Sequence, residues 1–169
     1  MINSQISQTV PGIAGLRKEE RGKAIGNVQL FTDQDLFKDR TDWKVIGFTV
    51  WLNSNGVAGI KALYQDAQGG DIEGKKNVSS AGLADYHSQD VRFNSGDFLK
   101  ELSGTFDKTE TFVQSLSFVT SHGETHKVGD TTSPGKPFKF DINEYEFPAV
   151  IFGALEIEYS NFRYHYDPF

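Results

Sequence analysis

Apolar residues alternate with small or polar ones along most of this chain, and that period of two restricts the fold more than any other feature. Ile46, Phe48, Val50 and Leu52 alternate with Gly47, Thr49 and Trp51. Successive side chains of an extended strand point to opposite faces, so the pattern lays the four apolar groups on one face and Trp51 on the other. Ser54-Asn55-Gly56 follows, and Asn-Gly is a hairpin signal because both residues accept positive φ. A returning strand is read from Val57 to Gln65, closed by Gly69-Gly70. Further strands are read near 86–94, 98–104 and 112–120, and Phe138 to Ile142 alternates cleanly. So does Leu155 to Tyr159, after which Ser160-Asn161 turns the chain into Phe162 to Tyr166, a terminal hairpin with a very short turn. Residues 121–136 are the most polar segment and read as a long turn. No long stretch has the helical period. Roughly ten short strands separated by turn signals imply an all-β sandwich, barrel or prism, and pattern alone does not choose among them.

Length and charge narrow the rest. At 169 residues the chain suits one domain with a core of its own. Residues 1–25 carry small and polar residues and then the charged run Leu16 to Arg21. They are read as an N-terminal arm, with the main domain at 26–169. Met1 to Gly22 has neither a basic start nor an apolar stretch of leader length. There is no cysteine, so disulfides and thiolate metal sites are excluded. Together these lead to the expectation of a cytoplasmic or otherwise intracellular protein, or a secreted one if the sequence is a mature form. With 17 basic and 23 acidic residues the net charge is −6. That balance lacks the cationic footprint required by nucleic acid or an anionic membrane surface. Neither is expected as a partner, and no membrane-inserting segment is read.

Several segments, in order, resemble the jacalin-related lectins. They are Phe37-Lys38-Asp39, then Val57 to Tyr64, then Ser95-Gly96-Asp97-Phe98-Leu99-Lys100-Glu101-Leu102-Ser103-Gly104, then Val113 to Ser121, and finally Pro137-Phe138 and Val150 to Gly153. The third matches the family's Gly-acid-aromatic-aliphatic strand ending in Ser-Gly. The fourth matches its aliphatic-x-Ser-Leu-x-Phe-x-Thr strand. The resemblance implies a β-prism I fold, three four-stranded antiparallel sheets around a pseudo-threefold axis. It also implies a non-catalytic module that takes mannose-, glucose- or galactose-type sugar in loops at one end. In such a site an N-terminal Gly forms one wall. The loop between the last two strands forms the other, where a Gly-x-x-x-Asp motif supplies N–H groups and a carboxylate. A carboxylate accepts two hydroxyl protons in a charge-assisted, bidentate way, and no proton transfer is required.

Carried onto this chain, the ligand-binding candidates are Gly26, Gly153, Glu156, Glu158 and Asn161, with Trp51 and Tyr159 as contact aromatics. The chain departs from the pattern at two places: four residues after Gly153 stands Ile157, and the final turn, Tyr159-Ser160-Asn161-Phe162, is too short for the usual loop. Each candidate also has a plain structural reading, since the two Glu suit a solvated strand face, Asn161 a turn, and Trp51 packing against another layer.

No catalytic pattern is present. His122-Gly123-Glu124-Thr125-His126 has Gly where the zincin motif has Glu, and the segment does not suit a helix, so no metal site is read there. His87 and His165 stand alone. Asn77-Val78-Ser79 matches the glycan acceptor pattern. No cofactor and no enzymatic activity are expected. Two functions remain open. One is a carbohydrate-binding module. The other is a structural or assembly subunit on the same scaffold, with a degenerate sugar site, meeting protein partners or further copies of itself through the arm and the prism surface.

Overall fold

The computed structural model describes residues 6–7, 16–17, 28–37, 43–54, 56–78, 87–110, 112–141, 149–156 and 162–168. Their element order is β1 (Ile6–Ser7), β2 (Leu16–Arg17), β3 (Val28–Thr32), a 3-10 turn (Gln34–Phe37), β4 (Trp43–Asn53) and β5 (Gly56–Asp66). There follow β6 (Asp71–Glu73), β7 (Asn77–Val78), β8 (His87–Arg92), β9 (Leu99–Phe106) and β10 (Val113–Thr120). The chain ends with β11 (Thr125–Gly129), β12 (Lys136–Asp141), β13 (Ala149–Glu156) and β14 (Phe162–Pro168). The protein is all-β, as the alternation requires.

The strands form three principal antiparallel sheets. One runs β6-β5-β4-β8 with β7 also on β5, one runs β11-β10-β9-β12, and one runs β14-β13-β3. Among the described residues these hold five, four and three strands. β1 and β2 make a separate two-stranded ladder, and β2 lies beside β14. The N-terminal segment therefore contains a small hairpin, where the sequence showed no strand alternation. Two-residue strands are too short for a period to register. Strands of the three sheets approach one another, β5 to β10, β4 to β9, β4 to β13 and β10 to β14.

Two irregularities re-aim the long hairpin. Val45 pairs with Tyr64 and Gly47 with Leu63, which leaves Ile46 as an extra residue. Such a bulge shifts the alternation by one. The core face of β4 consequently carries Val45, Phe48, Val50 and Leu52, and Ile46 is buried outside that cluster. A second shift, between Trp51 and Leu52, falls opposite Ala58. It lets Val57 and Ile60 both reach the core.

Among the described residues the core draws on the five-stranded and four-stranded sheets and carries many aromatic rings. Phe48 of β4 stacks on Phe118 of β10 with centroids 4.3 Å apart. Phe37 of the 3-10 turn stacks on Trp43 at 4.2 Å and meets Tyr64 edge-on at 4.8 Å. Phe106 stacks on Phe138 at 4.4 Å. Each buried ring contributes roughly 1.5–3 kcal/mol by leaving water.

β11 corrects the reading of 121–136 as one long turn. It pairs with β10 from Val119↔Thr125 to Ser115↔Gly129. It is an edge strand with only Val128 buried. Its ladder bonds hold it, and these leave no mark in the apolar pattern.

Candidate functional site

Of the sugar-site candidates, Gly153 and Glu156 lie on β13 of the three-stranded sheet. β13 lies between β14 and β3, with Gly153 opposite Tyr164 on one side and Phe31 on the other. Leu155 pairs with Phe162, and Glu156 pairs with Val28. Leu155 and Phe162 are the last described pair of the terminal hairpin. The described part of β13 ends at Glu156, and Ile157 to Tyr159 and the Ser160-Asn161 turn lie outside the described residues. Val28 opposite Glu156 brings the start of β3 beside the end of β13. Gly26, Glu158, Tyr159 and Asn161 lie outside the described residues, and Gly153 and Glu156 are placed by their backbone alone.

Trp51 is not an open platform. Its side chain is 8% exposed, and the Lys76 ammonium sits over the ring at 5.1 Å. Its ladder partner Gly59 in turn packs closely against Asn77 and Val78.

Three carboxylates not proposed from the sequence organise the neighbouring turns. Asp33 is fully buried, accepting the Tyr64 hydroxyl at 2.8 Å and the Lys75 N–H at 3.0 Å. Burial pushes its pKa up, against the pull of those donors. Asp97 follows the Ser95-Gly96 turn and is 3% exposed. It hydrogen-bonds the His122 ring and accepts the Ser121 hydroxyl at 3.2 Å. The His122 bond holds its carboxyl below the usual range. Ser121 N–H donates to Phe98 O at 2.9 Å, so this acid pins the start of β9 to the β10–β11 turn. Asp130 accepts Thr132 N–H and Oγ1–H, each at 2.8 Å, and Ser133 N–H at 3.1 Å, while the Ser133 hydroxyl caps its other oxygen. Those hydroxyls, Ser133 first, keep it far below the carboxylate range. Asp followed by Thr and Ser is a turn signature that sequence reading can find.

The two histidines of the 122–126 segment part company. His122 binds Asp97, while His126 stacks on Phe93 with centroids 5.7 Å apart. Among the described residues no group of three His, Asp or Glu is placed to hold a metal ion. Asn77 is 8% exposed and its amide donates to Lys75 O at 2.9 Å. The glycan acceptor pattern thus falls on a ladder residue facing inwards. No helix among the described residues is long and apolar enough to cross a membrane.

A family profile described as the Jacalin-like lectin domain matches residues 25–154. Among solved structures, single chain recombinant jacalin superposes with a TM-score of 0.69 at 17% identity, over 93% of this chain and 95% of that one. Artocarpin in complex with mannopentose gives 0.65 at 16% identity, over 98% of each chain. The mannose-binding lectin from Champedak gives 0.63 at 18% identity, over 99% of this chain and 98% of that one. Among curated proteins, no sequence matches.

Proposed function

Because the chain belongs to the Jacalin-like lectin domain family, we propose that it is a non-catalytic module that binds carbohydrate through loops at one end of its sheets. The observation that carries this is the register of the three-stranded sheet. Val28 opposite Glu156 and Leu155 opposite Phe162 bring the start of β3 beside the end of β13 and the start of β14. The proposed ligand groups are backbone at Gly26 and Gly153, the carboxylates of Glu156 and Glu158, the amide of Asn161 and the ring of Tyr159. With Ile157 at the motif's acidic position, a flanking carboxylate has to take the bidentate role. The sugar is of mannose, glucose or galactose type, and the artocarpin and Champedak structures name mannose ligands for those proteins. Shallow polar sites exchange water for hydroxyls with little net gain, so each site is weak, with a Kd of about 1 mM or somewhat below. Avidity then comes from several sites acting together.

A glycan array with the full chain, followed by competition with free mannose, glucose and galactose, tests the reading. Binding that monosaccharide removes is expected. Indifference to all three sugars and their polymers overturns it.

A second reading, an assembly subunit with a degenerate sugar site, is favoured by Ile157 and by the β1–β2 ladder beside β14. It predicts an oligomer in solution that dissociates when residues 1–25 are removed. A monomer at high concentration in both forms sinks self-assembly.

A further inference from the structure

We propose that Asp33 is a positioning residue for the carbohydrate site, holding β3 in place on β13 through a buried clasp to the five-stranded sheet; it rests on the carbohydrate reading for what the held strand serves. Among the described residues β3 pairs with β13 alone, from Thr32 opposite Phe152 to Val28 opposite Glu156. A ladder to one neighbour offers similar bonds at every step, yet a slip of one residue turns every side chain to the other face. The end of β3 beside Glu156 leads to Gly26 and one wall of the proposed site. The opposite end carries the clasp that fixes the register.

Asp33 directly follows Thr32, the last residue on that ladder. Its backbone C=O accepts the Leu36 N–H at 3.0 Å and starts the 3-10 turn. Its carboxyl reaches into the other sheet. Oδ2 accepts the Tyr64 hydroxyl of β5 at 2.8 Å, and Oδ1 accepts the Lys75 N–H at 3.0 Å. Asp33 and Tyr64 are both fully buried. Gly74 makes this approach possible. A Cβ there would lie 2.5 Å from Asp33 Oδ2 and 2.6 Å from Ala62 O, so a side chain would push the Gly74-Lys75 backbone off the carboxyl. The Gly74 N–H donates to Ala62 O at 2.8 Å and ties that backbone to β5. On the outside, the Lys75 ammonium bonds both oxygens of Asp35 at 2.8 Å. Lys75 thus holds the turn twice, by its N–H on Asp33 and by its ammonium on Asp35. The turn itself lies beside β13, so the clasp bears on β3 and on its ladder partner together.

Removing the carboxyl would leave the Tyr64 hydroxyl and the Lys75 N–H without this acceptor, which is costly in a buried place. The proton on the carboxyl gives a second handle on the clasp. Among the described residues the titratable groups that face Asp33 are Tyr64 of β5, Lys75 of the segment after β6, and Asp35 of its own turn. Desolvation outweighs the donors and holds the carboxyl above its ordinary value of 3.8. When β3 lets go, Asp33 is solvated and returns to that ordinary value. The clasp is therefore firmest with the carboxyl protonated, and it weakens as pH rises through the clasped-state pKa. A side chain that only fills space would give no such pH course.

The test is amide hydrogen exchange at β3, corrected for intrinsic rates, alongside titration with mannotriose and melibiose, on the full chain from about pH 4 to about pH 8. In the parent, protection of the β3 amides and sugar affinity are expected to fall together as pH rises. In Asp33→Asn, which cannot ionise, both lose that component. Glu156 and Glu158 are present in both proteins, so the difference between the profiles isolates Asp33. Tyr64→Phe keeps the ring and removes one donor. Its β3 protection should drop about two- to tenfold, the worth of one hydrogen bond. The fall with pH should also move to higher pH, because the carboxylate has lost a stabilising partner. This variant decides the matter if Asp33→Asn does not fold. Parallel exchange profiles in the parent and Asp33→Asn, or an unmoved fall in Tyr64→Phe, overturn the clasp. Exchange that follows Asp33 while sugar affinity does not overturns the positioning role and leaves the carbohydrate reading standing. No binding of either sugar by the parent at any pH overturns both.

Discussion

Asp33 is the residue whose charge is least at ease in this fold. It is fully buried, and its carboxyl is raised above the ordinary value of 3.8 by desolvation. A carboxyl whose folded pKa lies above its unfolded value contributes most below the unfolded value. That contribution is lost as pH rises through the folded pKa. Asp33→Asn keeps an acceptor for the Lys75 N–H and offers the Tyr64 hydroxyl an amide instead of a carboxylate. Urea midpoints of the variant should therefore fall less than those of the parent as pH rises from 3.8 towards neutrality. Parallel profiles would remove Asp33 as the source. The sequence holds Asp33 in a polar stretch, Thr32-Asp33-Gln34-Asp35, where an exposed acid is the natural reading. Its burial follows from Tyr64 and Lys75, 31 and 42 places away, so no local pattern reveals it. Glu156 shows the opposite case. Its candidacy came from resemblance, and the ladder then placed it opposite Val28.

At the scale of the element, the β4–β5 hairpin shows how turn chemistry and packing combine. Asn53 pairs with Gly56, so Ser54 and Asn55 form the loop and Gly56 begins the returning strand. The hairpin signal correctly located the reversal. The shift of Gly56 into the strand serves its approach to Val113 and Gln114, which belong to another sheet. Gly56→Ala is predicted to destabilise by about 1–3 kcal/mol from backbone strain alone, with the contact at Val113 O adding to it. A denaturation midpoint within experimental error of the parent would count against this account. The bulge at Ile46 belongs here too. Plain alternation put Ile46 with Phe48 and Val50, and the extra residue substituted Val45. Bulges are decided by the partner strand, so a single strand's pattern cannot announce them.

Across the whole molecule, stability depends on sheets meeting through aromatic rings. Phe48 and Phe118 come from different sheets and stack at 4.3 Å with planes 21° apart. Each single Ala substitution should cost about 3–5 kcal/mol. A double-mutant cycle should leave a coupling of about 0.5–1.5 kcal/mol, the worth of an aromatic pair beyond its buried area. Additive losses would show that the rings act as separate fillers. The same juxtaposition of sheets makes a groove lined from five strands, among them β5, β8 and β10, and the loops between them. No contiguous motif encodes such a groove.

The sequence by itself determined that the chain is all-β, where its long strands run, and which family it resembles. Period-two patterning, turn residues and a strand such as Ser95 to Gly104 are local, and local physics suffices to express them. Only the tertiary structure decided that Trp51 is covered and Ile46 displaced, that β11 is a strand, and that β3 pairs with β13. It alone drew Gly56, Gln114 and Asp130 into one groove. Each of these depends on which strand pairs with which and in what register, and pairing energy between residues far apart in the chain is absent from any single segment.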